Sequence, residues 1–399
     1  QSTWGLHMLF VLCSLSFSDT FAVLIAGSND YYNYRHQADI STIYIGLIKR
    51  GIKASNIITL AYDDIAPATE NPFKGQIFHT LQHVNIYQGS GTIDYRTTTV
   101  TAKTFYDVLK TLPSTASDYV FIYYDDHGGP GILGVPDGNG DYIYADDLGN
   151  AIAQLANANK FKKVLFGIEA CESGSIPGSW SSVQNILTIT ASGPDESSYA
   201  AVYDSGLDTY LTNEFTNYWI SYMDSNPGDT VNSLWTYVLS MTKGSTAHIY
   251  GDETILSLPL SYFFGNLAKP EAPMLTKAVD TMKSTLVTGL TVENLIAHSK
   301  SHQVQQNALS LKLKLNLEKT KFKEALKNLV KYADIKNYYF HLKNKNAPVT
   351  TDYLDCVRYF VSKFGQVNGD LLPKFKVIKS LASRVPVKAI KEAIDQVFP

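Results

Sequence analysis

Along the first 190 positions the apolar residues gather in short continuous runs. Residues 21–27 read FAVLIAG, a stretch at 57–62 reads IITLAY, 119–124 reads YVFIYY and 163–168 reads KVLFGI. Each is strand-length, rich in β-branched and aromatic residues, and apolar at consecutive positions, which predicts strands covered on both faces. Between them, 36–50, 102–112 and 145–158 space their apolar residues three and four apart, which predicts helices. Strand–helix alternation around doubly buried strands implies an α/β fold, a mostly parallel sheet packed between helices. In such sheets the chemistry collects at the carboxyl ends of the strands.

The pattern changes near 265–275, where FGNLAKPEAP (264–273) breaks any period. Beyond it the chain reads as helix. Phe322, Leu326, Leu329, Val330 and Ala333 form one apolar face; Leu354, Val357, Phe360, Val361 and Phe364 form a second; Val387, Ile390, Ile394 and Val397 form a third. The expected organisation is an α/β domain over 19–265, a linker over 266–310 and a small all-α domain over 311–399. No internal repeat is visible.

Charge sharpens this division. Residues 271–399 carry 21 basic and 11 acidic side chains, a net of +10, which leaves 13 basic and 26 acidic in residues 1–270, a net of −13. Opposite nets predict mutual attraction between the two regions. The lysines of the basic region interleave with helical apolar positions and no nucleic-acid motif accompanies them, so no nucleic-acid partner is expected. Residues 6–17 are almost wholly apolar and lead to Ser16-Phe17-Ser18, a short hydrophobic core before a small-x-small pattern. That predicts a signal peptide over 1–18, entry to the secretory pathway, and no membrane span. Loss of Cys13 with the signal leaves Cys171 and Cys356, which form no disulfide framework. No Asn-x-Ser/Thr acceptor is present.

Two strand ends carry the candidate chemistry. One reads YDDHGGPG (124–131) and the other IEACESGS (168–175). A thiol becomes a nucleophile when a neighbouring histidine takes its proton. Adjacent parallel strands would set His127 beside Cys171, with the backbone amides of Gly128 and Cys171 aimed at a developing oxyanion. The first strand leads to NDYYNYRHQAD (29–39), where Asn33 is suited to orient the histidine ring and Arg35 offers a forked donor to a carboxylate or amide oxygen. Other patterns fail on inspection. DGNGD (137–141) lacks the later positions of a calcium loop, and His79 with His83 has no third zinc ligand nearby.

The segments NYRHQAD (33–39), YDDIA (62–66), NIYQG (85–89), DHGGPG (126–131), EACESGS (169–175) and ESSYA (196–200) together resemble the legumains, the asparaginyl endopeptidases among the caspase-like cysteine peptidases. The match runs over roughly 20–265. The resemblance implies a caspase-like α/β/α sandwich followed by a helical pro-domain that acts as an intramolecular inhibitor. It implies a Cys171–His127 dyad supported by Asn33, with no cofactor and no metal, acting on protein and peptide substrates after Asn and, second to it, Asp. It also implies a substrate pocket built from Arg35, His36, Glu169 and Ser197, and self-activation in an acidic lysosome or vacuole. Where the family carries an acid in Tyr-Leu-Gly-Asp, this chain reads Tyr210-Leu-Thr-Asn213, so Asn213 stands at the matching place. The catalytic subunit of GPI transamidase would read Asp-Thr-Cys-Gln around the cysteine, which this chain does not. Two other readings stay open: a peptide ligase, in which an amine reaches the acyl-enzyme before water, and a non-catalytic binding protein that keeps the fold.

Overall fold

The structure is a computed structural model that describes residues 18–266, 281–333 and 347–399. In chain order the first region runs β1 (Thr20–Ala26), α1 (Tyr34–Lys49), β2 (Ile57–Leu60), α2 (Ala102–Thr111) and β3 (Tyr119–Asp125). Three short strands follow, β4 (Gly128–Gly129), β5 (Ile132–Leu133) and β6 (Ile143–Tyr144), then α3 (Ala145–Asn157), β7 (Lys163–Glu169) and β8 (Ile186–Thr190). The hairpin β9 (Tyr199–Asp204) and β10 (Thr209–Asn213) leads into α4 (Glu214–Ser225), α5 (Val231–Met241), β11 (His248–Gly251) and α6 (Ser261–Phe264). The rest comprises β12 (Met282–Lys283), α7 (Ser284–His298), α8 (His302–Tyr332), α9 (Thr351–Phe364), α10 (Lys376–Ala382) and α11 (Val387–Val397).

The central sheet has the order β11-β8-β7-β3-β1-β2, parallel except for β11. Its strands are apolar at consecutive positions because both faces are covered. Val23, Ile25, Val120, Ile122 and Phe166 point into one core with α2 and α3. Ala22, Leu24, Phe121 and Leu165 point into the other, with α1, α4 and α5. Side chains alternate across a strand, so each run feeds two cores, and each fully buried large aliphatic or aromatic side chain contributes roughly 1.5–3 kcal/mol. Helix α2 starts where Thr101 Oγ1 accepts from the Thr104 amide, a side-chain cap.

Strand order reverses between β1 and β3: the chain moves outward to β2 on one side and to β7 and β8 on the other. That switch point opens a crevice at the carboxyl ends of β1, β3 and β7.

The C-terminal helices pack on this body without a separate core. Phe322, Leu326, Tyr353, Leu354 and Phe360 belong to the same buried cluster as Phe105, Ile132 and Ile152. The stretch expected to be a linker, 266–310, differs from that expectation. Its described part holds β12, α7 and the first turns of α8, because β12 finds hydrogen-bonding partners on the edge of β9 and α7 packs on α8. The expected signal segment lies almost wholly outside the described residues. Among the described residues no helix is long and apolar enough to cross a membrane.

Candidate active site

Strands β3 and β7 pair in parallel with Asp125 opposite Glu169, so two residues further on His127 and Cys171 leave the sheet in step. Gly128 lies directly on the Cys171 backbone; a Cβ there would meet the Cys171 carbonyl oxygen at 2.3 Å. The next residue after the cysteine, Glu172, has φ of 56°, and this left-handed step turns the chain out of the strand direction.

The His127 ring is fixed from one side. Asn33, at the mouth of α1, donates its amide N–H to the Asn29 carbonyl at 2.9 Å, which turns its Oδ1 toward His127 Nε2 at 2.9 Å. An acceptor at Nε2 requires the proton there, so Nδ1 carries the lone pair. His127 Nδ1 has no hydrogen-bond partner among the described residues. Burial, then the Arg35 charge, holds its pKa well below the ordinary histidine value, so the ring is neutral. His36 lies edge-on to it, ring centroids 5.2 Å apart, with its Nδ1 2.7 Å from Ser28 Oγ and 3.3 Å from Asp126 Oδ1.

Behind this pair lies a polar pocket centred on the wholly buried Arg35. Its Nε donates to Asn213 Oδ1 at 2.9 Å and its Nη2 to Ser284 Oγ at 3.1 Å. The Asn213 amide nitrogen donates to Asp39 Oδ2 at 3.1 Å and to Asp125 Oδ1 at 2.8 Å. Glu169 Oε2 accepts from the Thr216 amide and hydroxyl at 3.2 and 3.1 Å, while Oε1 is buried with no well-formed partner among the described residues. Burial and then Asp39 push the Glu169 carboxyl up to about 8.

The Peptidase C13 family model matches residues 20–266. The chain belongs to the peptidase C13 family. It is 35% identical to the hemoglobinase of Schistosoma japonicum over 86% of this chain and 83% of that protein. It is 34% identical to the legumain of Homo sapiens over 64% of this chain and 61% of that protein. The delta-isozyme of the vacuolar-processing enzyme of Arabidopsis thaliana is 31% identical over 86% of this chain and 81% of its own length. Caspase-1 from Spodoptera frugiperda superposes with a TM-score of 0.37 and 12% identity, covering 63% of this chain and 91% of its own. Membership of the C13 family makes this chain a cysteine peptidase.

In this peptidase the sites expected from sequence mostly converge. Cys171, His127, Gly128 and Asn33 share the crevice, and Arg35, Glu169 and Asn213 share the pocket beside it. Ser197 shows no side-chain hydrogen bond to this group among the described residues. It is half-buried, whereas its neighbour Ser198 is buried, lies 3.8 Å from Cys171 Sγ and favours the charged form of Glu169. Adjacent residues entering a strand face opposite sides, and only one of the two serines can face the cysteine. His36 sits on the histidine side of the crevice, with Ser28 and Asp126, and not among the partners of Arg35. Asp39, Thr216 and Ser284 are pocket residues that sequence reasoning passed over, although Asp39 stands inside the NYRHQAD segment.

The thiol departs from expectation. Burial pushes Cys171 up to about 12, so it is protonated, because the described C-terminal residues cover the crevice. Gly369 lies on the His127 ring, where a Cβ would come within 2.5 Å of Cδ2, and Asp370 Oδ1 is 3.7 Å from His127 Nδ1. Tyr353 donates its hydroxyl to the Pro130 carbonyl at 2.9 Å. On the other flank the Ser284 amide donates to the Ser198 carbonyl at 3.1 Å, and β12 runs antiparallel to β9.

His36, Asp126 and His127 hold possible metal-donor atoms within 4.8 Å of one another. Their Nδ1 and Nε2 contacts with Ser28 and Asn33, and the Arg35 charge beside both rings, oppose a cation there. His79 and His83 are engaged elsewhere, with Asp39 at 2.9 Å and Asp204 at 2.5 Å.

Proposed function

We propose that this C13 peptidase is made as a zymogen and cleaves peptide bonds after Asn, with Asp second, using Cys171 as nucleophile and His127 as base. His127 Nδ1 takes the thiol proton as Sγ attacks the carbonyl carbon, and the amides of Gly128 and Cys171 stabilise the oxyanion. The imidazolium then protonates the leaving amine. Water, deprotonated by the same nitrogen, releases the acid and restores the thiol. The observation that carries this reading is the Asn33-fixed ring, which leaves Nδ1 unprotonated and unbonded in step with Cys171 across β3 and β7.

An asparagine head presents both an acceptor and donors, and Arg35 with the unpartnered Glu169 Oε1 offers both complements. Residues 311–399 serve as the intramolecular inhibitor, with the 369–372 segment over His127 and the β4 glycines; ahead of them Ser284, at the start of α7, fills the place beside Arg35. An acidic vacuole, the compartment that the name of the Arabidopsis relative gives for that protein, opens it by protonating the carboxylates that pair with Arg358 and Lys379.

Incubating the purified chain in acid with an Asn-containing peptide and reading products by mass tests the reading. Hydrolysis after Asn is expected, lost in Cys171→Ser and retained in Cys356→Ser. Turnover that survives in Cys171→Ser removes the nucleophile assignment, and joined rather than cut peptides would mark a ligase.

A further inference from the structure

Beside the nucleophile lies a second group of charges that the reaction above does not use. Glu172 follows Cys171 directly, and its backbone is pinned. Its N–H donates to the Glu196 carbonyl at 2.7 Å, and its own carbonyl accepts from Ser175 Oγ at 2.6 Å. The first of these bonds ties it to the loop between β8 and β9, which carries Asp195. Glu172 Oε2 is buried and has no hydrogen-bond partner among the described residues. Lys379 of α10, only 3% exposed, enters this place and donates to Asp195 Oδ1 at 2.8 Å. Lys376 and Lys379 supply the positive charge that acts on Glu172. An ammonium is costly to bury without a counter-charge. The two acids meet that cost for a long basic side chain, and in the closed chain Lys379 is the one they hold.

This place is distinct from the Arg35 pocket, whose guanidinium bonds to Asn213, Tyr32 and Ser284. The covering segment shows on which side of the nucleophile it lies. Gly369 and Asp370 lie on His127 and Leu372 lies on Gly129. The chain then runs into α10, which brings Lys376 and Lys379 to Glu172 and Asp195. His127 is the group that protonates the leaving amine, so this run traces the path of the leaving peptide. Resting on the endopeptidase reading above, we propose that Glu172 and Asp195 form a subsite for a basic side chain, Lys or Arg, in one of the two residues that follow the cut, and that Lys379 occupies it in the closed chain. Opening carries Lys376 and Lys379 away together and leaves the acids without them. Freed from that burial, Glu172 returns toward the ordinary carboxylate range and is ionised at pH 6. A substrate cation then takes the Lys379 place through charge-assisted hydrogen bonds, whereas an acidic side chain meets like charge.

The test uses the acid-activated full chain at pH 6 and quenched fluorogenic peptides with a single Asn. Only the two residues after it vary, with Lys or its uncharged isostere norleucine at each place in turn. A kcat/KM ratio of Lys over norleucine of at least about threefold is expected at one of the two places, shrinking as salt rises. Asp195→Asn should bring that ratio toward unity, and Asp195→Lys should turn the preference to Glu over norleucine at the same place. Each comparison is made within one variant, so a general loss of rate drops out. The wild-type ratio decides by itself if a variant fails to fold. A smaller wild-type ratio at both places, or an unchanged ratio in folded Asp195→Lys, overturns the inference; the endopeptidase stands, and Lys379 with Asp195 is a docking pair alone. Cleavage of none of the peptides removes the endopeptidase reading and this inference with it.

Discussion

His127 owes its tautomer to Asn33, and Asn33 owes its orientation to the Asn29 carbonyl. Asn33→Ala removes the acceptor at Nε2 and lets the proton move to Nδ1, where it blocks the base. We expect kcat to fall about tenfold to a hundredfold, the range of a misplaced general base, with KM little changed. Asn33→Asp keeps an acceptor, so it should recover part of the rate. The anionic partner favours imidazolium, so it should also move the histidine limb of the kcat/KM profile to higher pH. A rate lost equally in both variants, with no movement of that limb, would mean that Asn33 only holds the loop. At this scale the dyad was legible because it needed only two residue types at two strand ends. The choice of Ser198 over Ser197 was not, since it depends on which face of the entering strand meets the cysteine. Nor was the Cys171 shift, which comes from burial in a crevice whose His127 and β4 side is covered by chain some 200 residues on.

Among the elements, those with the plainest period were read to within a residue or two. The run at 119–124 became β3, the helix expected over 145–158 became α3, and the three C-terminal faces lie on α8, α9 and α11. Strand β12 could not be read that way. Met282-Lys283 has no strand signature and is a strand only because the edge of β9 supplies partners. Three asparagines of the expected linker and its edges, Asn266, Asn294 and Asn307, are candidates for self-cleavage after Asn; Asn294 and Asn307 lie inside α7 and α8, where the backbone cannot extend into a peptidase crevice, whereas Asn266 lies outside regular structure. The contact between β4 and the 369–375 turn is a close seam at the crevice. A Cβ on Gly129 would sit 2.5 Å from the Leu372 carbonyl oxygen. The Leu372 carbonyl oxygen and carbon it would meet, at 2.5 and 2.7 Å, are backbone atoms that cannot swing aside, so Gly129→Ala has to push the two segments apart. Alkylation of Cys171 in the zymogen should then run at least about tenfold faster than in the parent, the effect of roughly 1.4 kcal/mol on the docking equilibrium at 25 °C. An unchanged labelling rate would show that the seam yields without opening.

At the scale of the whole molecule, opposite nets of charge predict an attraction between the two regions that fades in acid as carboxylates protonate. The interface divides that expectation between two kinds of group. Arg358 donates to Asp146 at 3.0 Å and Asp147 at 2.8 Å, over the Tyr144 ring, and Lys379 pairs with Asp195 at 2.8 Å. Such pairs need ionised carboxylates, which as a class protonate near pH ~4, so this attraction fades in stronger acid. Asp370 and Glu172 act the other way. Docking buries them, raising Asp370 to about 7 and Glu172 to about 8 from ordinary values of 3.8 and 4.5. A carboxyl whose pKa is higher in the docked form binds its proton more tightly there, so falling pH through 8 to 5 favours docking. Above about 8 both are charged and their burial works against the closed form. The expected profile is therefore a dome. In the Cys171→Ser chain, thermal stability of the docked C-terminal domain should rise as pH falls from 8.5 to about 5 and drop below about 4. Asp370→Asn with Glu172→Gln should flatten the alkaline limb alone, and Arg358→Ala should lower stability through the middle and remove the acid drop in part. High salt should weaken the half-buried Arg358 pairs more than the fully buried groups. A monotonic loss of docking from pH 8 downward, unaffected by the Asp370 and Glu172 changes, would return control to the surface charges alone.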